Sequence, residues 1–168
     1  MGYMASGKSF IGKVLAKKMC YDFIDLDDYI EGREGKAISD IFEFSGEIYF
    51  RKIESKYLKE VLDSKTNMVL SLGGGTPCYG DNMNLIKKNP KIISFYLKTN
   101  INTIVSRLEN EKSKRPLVAR FKSKDELQEF IGKHLFERNY FYNQANCIIK
   151  NDNVLIDDIV EDIVVKLF

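Results

Sequence analysis

Apolar residues recur along the chain in two rhythms, one suited to helices and one to buried strands. Phe10, Ile11, Val14, Leu15 and Met19 keep helical spacing and predict a helix over residues 8–19 that begins inside a glycine-rich opening. Tyr21-Asp22-Phe23-Ile24 reads as a short strand running into Asp25, Asp27 and Asp28, followed by a polar stretch between Gly32 and Gly35. Phe50, Ile53, Tyr57, Leu58 and Val61 share one helical face within Glu47 to Leu62. Met68 to Leu72 has the continuous apolar character of a buried strand and is stopped by Gly73-Gly74-Gly75. A helix over 82–88, a strand over Ile92 to Leu97 and a helix carrying Ile101, Ile104, Val105 and Leu108 follow. From Glu109 to Lys124 charge dominates, Arg115-Pro116 interrupts and periodicity is lost, as expected of a mobile lid over about 109–124. Leu127, Phe130, Ile131 and Leu135 restart a helix towards Tyr142, Cys147-Ile148-Ile149 is a last strand, and Ile156 to Leu167 a closing amphipathic helix. Strands alternating with helices predict an α/β fold, a parallel sheet covered by helices on both faces, in a single domain over residues 1–168.

Composition narrows the chemistry. With 44% hydrophobic and 30% charged residues among 168, the chain can build a packed core. Its 26 basic and 24 acidic residues leave +2, too balanced to argue for nucleic acid, so any anion site must come from local placement. No apolar run approaches the ~18 residues of a membrane span, and the opening residues lack the layout of a secretion signal. Cys20, Cys78 and Cys147 are odd in number and widely spaced, and His134 is the sole histidine. Disulfides, a Cys/His zinc site and triad hydrolysis all become poor readings. His134 is expected on the polar, solvated side of its helix, and Cys78, without a basic neighbour in sequence, is expected to be inert. The expectation is a cytoplasmic monomer acting on a small molecule, with neither nucleic acid nor a membrane as partner.

Gly2-Tyr3-Met4-Ala5-Ser6-Gly7-Lys8-Ser9 matches G-x-x-x-x-G-K-[ST] in full and opens into the first helix. Glycines let backbone N–H groups curl around a phosphate, and the helix N-terminus adds further donors and a positive dipole end. Lys8 is placed to reach the β- and γ-phosphates of ATP and Ser9 to offer its hydroxyl to Mg²⁺. Such a loop should follow a strand, yet only Met1 precedes Gly2. Either the start is internal to a longer natural chain or the sheet has a gap in its middle, with the stability a central strand confers lost.

The strand before Gly73 ends without an acidic residue, so a carboxylate for the metal must come from elsewhere, and Asp25-Leu26-Asp27 at the end of the preceding strand is the obvious source. On an extended segment an i, i+2 pair points both side chains the same way, one to the metal and one to an acceptor hydroxyl. The same acids could equally be an ordinary helix-start cluster before Tyr29-Ile30-Glu31.

Taken in order, the phosphate loop, Asp25-Leu26-Asp27, Phe50-Arg51-Lys52-Ile53-Glu54, Gly73-Gly74-Gly75, Arg115-Pro116-Leu117 and Arg138 to Tyr142 give a chain that resembles shikimate kinase over essentially its whole length. The resemblance implies a nucleoside monophosphate kinase type of P-loop fold, five parallel strands with a mobile lid. It also implies ATP-dependent phosphorylation of the 3-hydroxyl of shikimate, on the route to chorismate and the aromatic amino acids. Asp27 then resembles the carboxylate that binds the shikimate hydroxyls and takes the attacking proton, and Asp25 the one that reaches Mg²⁺ through water. Arg51 and Arg138 look like the guanidinium pair on the shikimate carboxylate, with Gly73, Gly74 and Gly75 against the substrate. Arg115 looks like the lid arginine over the phosphates, beside Lys8 in catalysis, and Arg107 is similar to an adenine-stacking arginine. Ala5, Ser6, Gly7, Lys8, Ser9 and Phe10 are the loop contacts to ATP, and Asn151-Asp152-Asn153 resembles the edge of the adenine site.

Ala5 stands where the family commonly has glycine, Phe10 where a small hydroxyl residue is frequent, and Tyr140 where proline often sits; none removes a group the chemistry needs. Outside the family pattern, Arg51 and Arg138 read as solvent-exposed arginines on charged helix faces, and Arg107 could merely pair with Glu111. Two other functions fit part of the pattern. One is a non-catalytic module of the same ancestry, and the other a small-metabolite kinase of the same fold such as gluconate kinase, which should lack the Arg51 and Arg138 pair.

Overall fold

The structure is a computed structural model and describes residues 1–64, 66–109, 118, 121 and 123–168. Helix α1 spans Lys8–Met19, strand β1 Asp22–Asp25, α2 Leu26–Glu34, α3 Ile38–Leu62 and β2 Met68–Ser71. A short 3₁₀ turn, Thr76–Cys78, leads to α4 (Asn82–Lys88), β3 (Phe95–Lys98), α5 (Ile101–Glu109), α6 (Lys124–Tyr142), β4 (Cys147–Lys150) and α7 (Ile156–Leu167). No helix among the described residues is long and apolar enough to cross a membrane.

Both strand pairings are parallel, as the alternation of strands and helices requires. Strand β1 pairs with β2 from Asp22 against Met68 to Asp25 against Ser71, and β3 pairs with β4 from Phe95 against Cys147 to Lys98 against Lys150. The five-strand sheet implied by the resemblance is present, among the described residues, as two separate two-stranded pairs. Met1 marks the seam. Its nitrogen donates to the Phe95 carbonyl at 2.6 Å, its carbonyl accepts from Leu97 N–H at 2.9 Å, and its side chain packs against the clusters on both sides.

Three apolar clusters hold the helices to the strands. Ile11 and Leu15 of α1 meet Leu97, Ile149 and the buried face of α7, Ile159, Val160 and Ile163. Leu26 and Ile30 of α2 pack with Ile41, Phe50, Ile53, Tyr57 and Leu58 of α3. Tyr3, Tyr96, Ile104, Leu108, Leu127, Ile131 and Tyr142 make the third cluster, beneath α5 and α6.

The helices over 8–19 and 82–88 and the closing helix form where periodicity places them. Others differ. The polar stretch up to Gly35 is mostly helix α2, whose first turn carries Asp27 and Asp28 and whose C-cap is Gly35 at φ 65°. Helix α3 starts at Ile38 rather than near Glu47, and Gly46 (φ 78°, ψ 171°) bends it into two limbs at that point. Strand β3 begins at Phe95 because Ser94 is held instead by the Asn146 side chain, at 2.9 Å from its N–H. Of the proposed lid only Glu109, Val118, Phe121, Ser123 and Lys124 are described; residues 110–117, 119, 120 and 122, with Arg115 among them, lie outside.

Tyrosine hydroxyls clamp α2 to α3. Tyr57 donates to Glu34 Oε1 at 2.6 Å, Tyr49 to Glu34 Oε2 at 3.0 Å, and Tyr29 to Glu60 Oε1 at 2.8 Å. These contacts, with Ile38 N–H on Glu31 Oε1 at 2.8 Å, fix the element that carries Arg51 against the one that carries Asp27.

Candidate active site

The phosphate loop curls as its residue types require. Gly7, at φ 84°, caps α1, and Ala5 sits in the left-handed region at φ 57°, where a glycine would be unstrained. Lys8 Nζ donates to the Tyr3 carbonyl at 2.9 Å, folding its ammonium back over the loop. Arg107 Nη1 donates to the Ala5 carbonyl at 3.1 Å, tying α5 to the loop. The Asn151 side-chain amide donates to the Ser6 carbonyl, so the end of β4 braces the same turn. A cavity of about 720 Å³ opens over this loop, lined on the loop's side by Ala5, Gly7, Lys8, Ser9, Phe10, Arg107, Asn151, Val154 and Ile156. Ser6 is buried beneath the loop, and Phe10 is 60% exposed at the cavity's rim.

Asp25 and Asp27 line the opposite wall with Leu72, Gly73 and Gly74. They are not two residues of one extended segment. Asp25 ends β1 and caps α2 by accepting the Asp27 N–H at 3.1 Å, whereas Asp27 lies in the first turn of the helix. The helix-start reading therefore holds, and it leaves both carboxylates lining the cavity. Asp25 Oδ2 also accepts from Ser9 Oγ at 2.5 Å. This convergence of hard oxygen donors fits Mg²⁺, which takes one or two protein oxygens and completes its shell with phosphates and water. Burial first, then the charges of Asp25 and Glu54, push the Asp27 carboxyl up to about 6 against the pull of Lys8.

The triglycine turn organises the other half of the site. A Cβ on Gly73 would stand 2.8 Å from Asp27 Oδ1, and one on Gly75 would stand 2.9 Å from Arg51 Nη1. On Gly74 it would stand 3.4 Å from the Met4 nitrogen and 3.7 Å from Arg138 Nη1. Each glycine in turn thus lies against one of the side chains expected at the site, and the middle one also approaches the phosphate loop. Arg51 and Arg138 are not loose surface arginines. Arg51 donates to Glu54 Oε2 at 2.8 Å and Glu47 Oε1 at 3.3 Å, and its guanidinium lies 3.8 Å over the Tyr79 ring. Arg138 lies 5.5 Å over the Tyr3 ring, and the Tyr142 hydroxyl donates to the Gly74 carbonyl.

Several neighbours of these side chains were not among the expected site residues. Glu54, only 1% exposed, accepts from Thr76 Oγ1 at 2.6 Å as well as from Arg51; its sequence signal is the i, i+3 spacing from Arg51. Tyr3 and Tyr142 lie within the motifs that carry the resemblance, but nothing in the sequence gave their side chains a role. His134 is not merely solvated: its Nδ1 is 3.3 Å from the Tyr3 hydroxyl and its ring packs 4.2 Å from that of Phe130. Cys78, beside the turn, is pushed up to about 11 by burial, against the pull of Arg138 and Arg51, and stays a thiol.

Comparisons with known proteins agree with one another. The sequence model of the family described as shikimate kinase matches residues 4–168. The shikimate kinase of Flavobacterium johnsoniae is 47% identical over 163 residues, 97% of this chain and 94% of that protein. The crystal structure of shikimate kinase from Bacteroides thetaiotaomicron is similar at a TM-score of 0.91 and 36% identity, covering 99% of this chain and 95% of that one. Shikimate kinase from Acinetobacter baumannii, solved in complex with shikimate, gives a TM-score of 0.85 at 28% identity over 99% of this chain and 89% of that one.

Proposed function

The chain belongs to the shikimate kinase family, and on that premise we propose that it moves the γ-phosphoryl group of ATP to the 3-hydroxyl of shikimate with the residues gathered around the triglycine turn. The observation that carries this reading is the succession of Asp27, Arg138 and Arg51 against Gly73, Gly74 and Gly75, with the middle glycine touching the phosphate loop. An acceptor seated there has a carboxylate anchor at one end and a proton acceptor facing ATP at the other.

Arg51 and Arg138 hold the acceptor carboxylate, a task for planar, permanently charged forks. Asp27 accepts a hydrogen bond from the ring hydroxyl and takes its proton as that oxygen bonds to the γ-phosphorus and the γ-phosphorus parts from the bridging oxygen of ADP. A carboxyl near 6 is ionised at neutral pH and still basic enough to receive the proton. Phosphoryl transfer asks little covalent help, so catalysis here is positioning and charge. Lys8 and the loop N–H groups stabilise the phosphate charge, and Arg115, assigned through the family resemblance, does so from the lid. Ser9 and Asp25 are the residues that would hold Mg²⁺, and a bound ion would supply further neutralisation of phosphate charge. Arg107 and Phe10 flank the nucleotide end of the cavity.

A coupled assay for ADP release tests the reading. Release that depends on shikimate and Mg²⁺ is expected. Release driven by gluconate would point to the other kinase, and silence with every acceptor would point to a binding module; either overturns the proposal.

A further inference from the structure

The two guanidiniums of the acceptor site are held in opposite ways. Arg51 arrives already paired, its charge met by Glu54 at 2.8 Å and Glu47 at 3.3 Å. Among the described residues no carboxylate lies within ion-pair distance of Arg138. What faces it is aromatic: the ring of Tyr3, with its centroid 5.5 Å from the guanidinium carbon, and the neutral Tyr142 phenol, hydrogen-bonded to it.

Tyr3 is a loop residue whose side chain leaves the loop. It is 1% exposed and packs in the cluster beneath α6, with Tyr96 and Tyr142. Its hydroxyl meets His134 Nδ1 at 3.3 Å, one turn before Arg138 on the same helix, which fixes the plane of the ring relative to that helix. Its carbonyl receives Lys8 Nζ at 2.9 Å. One residue therefore touches the cation assigned to the phosphates through its backbone and the cation assigned to the acceptor through its ring.

We propose that Tyr3 is a positioning residue for the acceptor: its ring face holds the Arg138 guanidinium against Gly74 without neutralising it. An aromatic face attracts a cation through its quadrupole but offers no lone pair. A carboxylate in the same place would hold the arginine equally well and then compete with the substrate carboxylate for its N–H donors. Tyr3 keeps the fork aimed and, unlike a carboxylate, takes up none of its donors. The inference rests on the reading of Arg138 as a carboxylate anchor.

The test varies the ring electronics at nearly constant shape. Full-length protein carrying phenylalanine, 3,5-difluorophenylalanine or pentafluorophenylalanine at position 3 is compared with the natural chain for kcat and for KM towards shikimate and ATP. Tyr3→Phe, which keeps the ring, should hold the shikimate KM within about 2-fold, and the KM should then climb with fluorination to about 10-fold as the π-face loses its charge. The kcat and the ATP KM should stay level, which a general packing defect would not allow. A flat shikimate KM across the fluorinated series overturns the proposal, as does a parallel fall in kcat. Tyr3→Leu is the blunter variant, and should it fail to fold the fluorinated series still decides. Arg138→Lys separates the two levels: a raised shikimate KM there with a flat fluorinated series sinks Tyr3 alone, whereas an unchanged KM in Arg138→Lys sinks the anchor reading and this inference with it.

Discussion

Asp27 shows at the scale of one residue how function and stability pull apart. Its carboxyl is pushed up to about 6 by burial and by Asp25 and Glu54. An acid harder to ionise in the folded chain than in the unfolded one contributes stability that is complete below the ordinary carboxyl value of 3.8 and is lost as pH rises through 6. At pH 7.5 the ionised group is therefore a cost. Asp27→Asn should raise unfolding stability by roughly 1–3 kcal/mol in denaturant titrations at that pH while lowering shikimate-dependent kcat about 100-fold or more. In the natural chain the pH profile of kcat/KM should show an acid limb near 6, activity falling as Asp27 is protonated. Ala5 makes the complementary case. Its left-handed backbone, at φ 57°, costs an L-residue about 1 kcal/mol that glycine would not incur. Ala5→Gly should raise the thermal midpoint by about 2–4 °C in calorimetry, with the loop geometry kept.

Among the elements, the bend in α3 decides where Arg51 stands. Gly46 (φ 78°, ψ 171°) lets the first limb fold back so that Phe42 stacks 4.5 Å from Phe50 and lies 5.9 Å from the Arg51 guanidinium. No atom lies within 4 Å of a Cβ built at Gly46, so the penalty of a side chain there is wholly one of backbone conformation. Gly46→Ala should cost about 1–3 kcal/mol of stability, and it should raise the shikimate KM more than the ATP KM, since of the proposed site residues only Arg51, assigned to the acceptor, rides on that helix. The bend also explains what the sequence could and could not convey. Residues 47–62 read as a helix because Phe50, Ile53, Tyr57 and Val61 repeat on one face, but residues 38–45 bury only Ile41 and show no such stripe. Helix α2 was legible only as a possible helix start at its acids, for the same reason, with only Leu26 and Ile30 buried. The phosphate loop was legible because its chemistry is local, with glycines, lysine and serine at fixed spacing on one turn. Glu54, Tyr3 and Tyr142 were not, because each owes its place to partners brought from distant segments.

The whole molecule is two parallel strand pairs joined along a seam, with the site laid across it. Asp25, Asp27 and Gly73 come from the β1 and β2 side, and Asn151, Arg107 and Val154 from the side of β3 and β4. Ligands in the cavity touch both halves and should brace them. With ATP·Mg²⁺ at ~100 times its Kd, linkage adds about 3 kcal/mol; a gain of that size moves the midpoint of a chain this long by roughly 5–10 °C. Differential scanning should show that rise, and β1–β2 amides should gain hydrogen-exchange protection together with those of β3–β4. A smaller gain confined to one pair would mean the halves are already locked. Proteases cut what opens, so a ligand that bridges the two pairs should also slow cleavage: limited digestion should proceed more slowly with ATP·Mg²⁺ bound than without it.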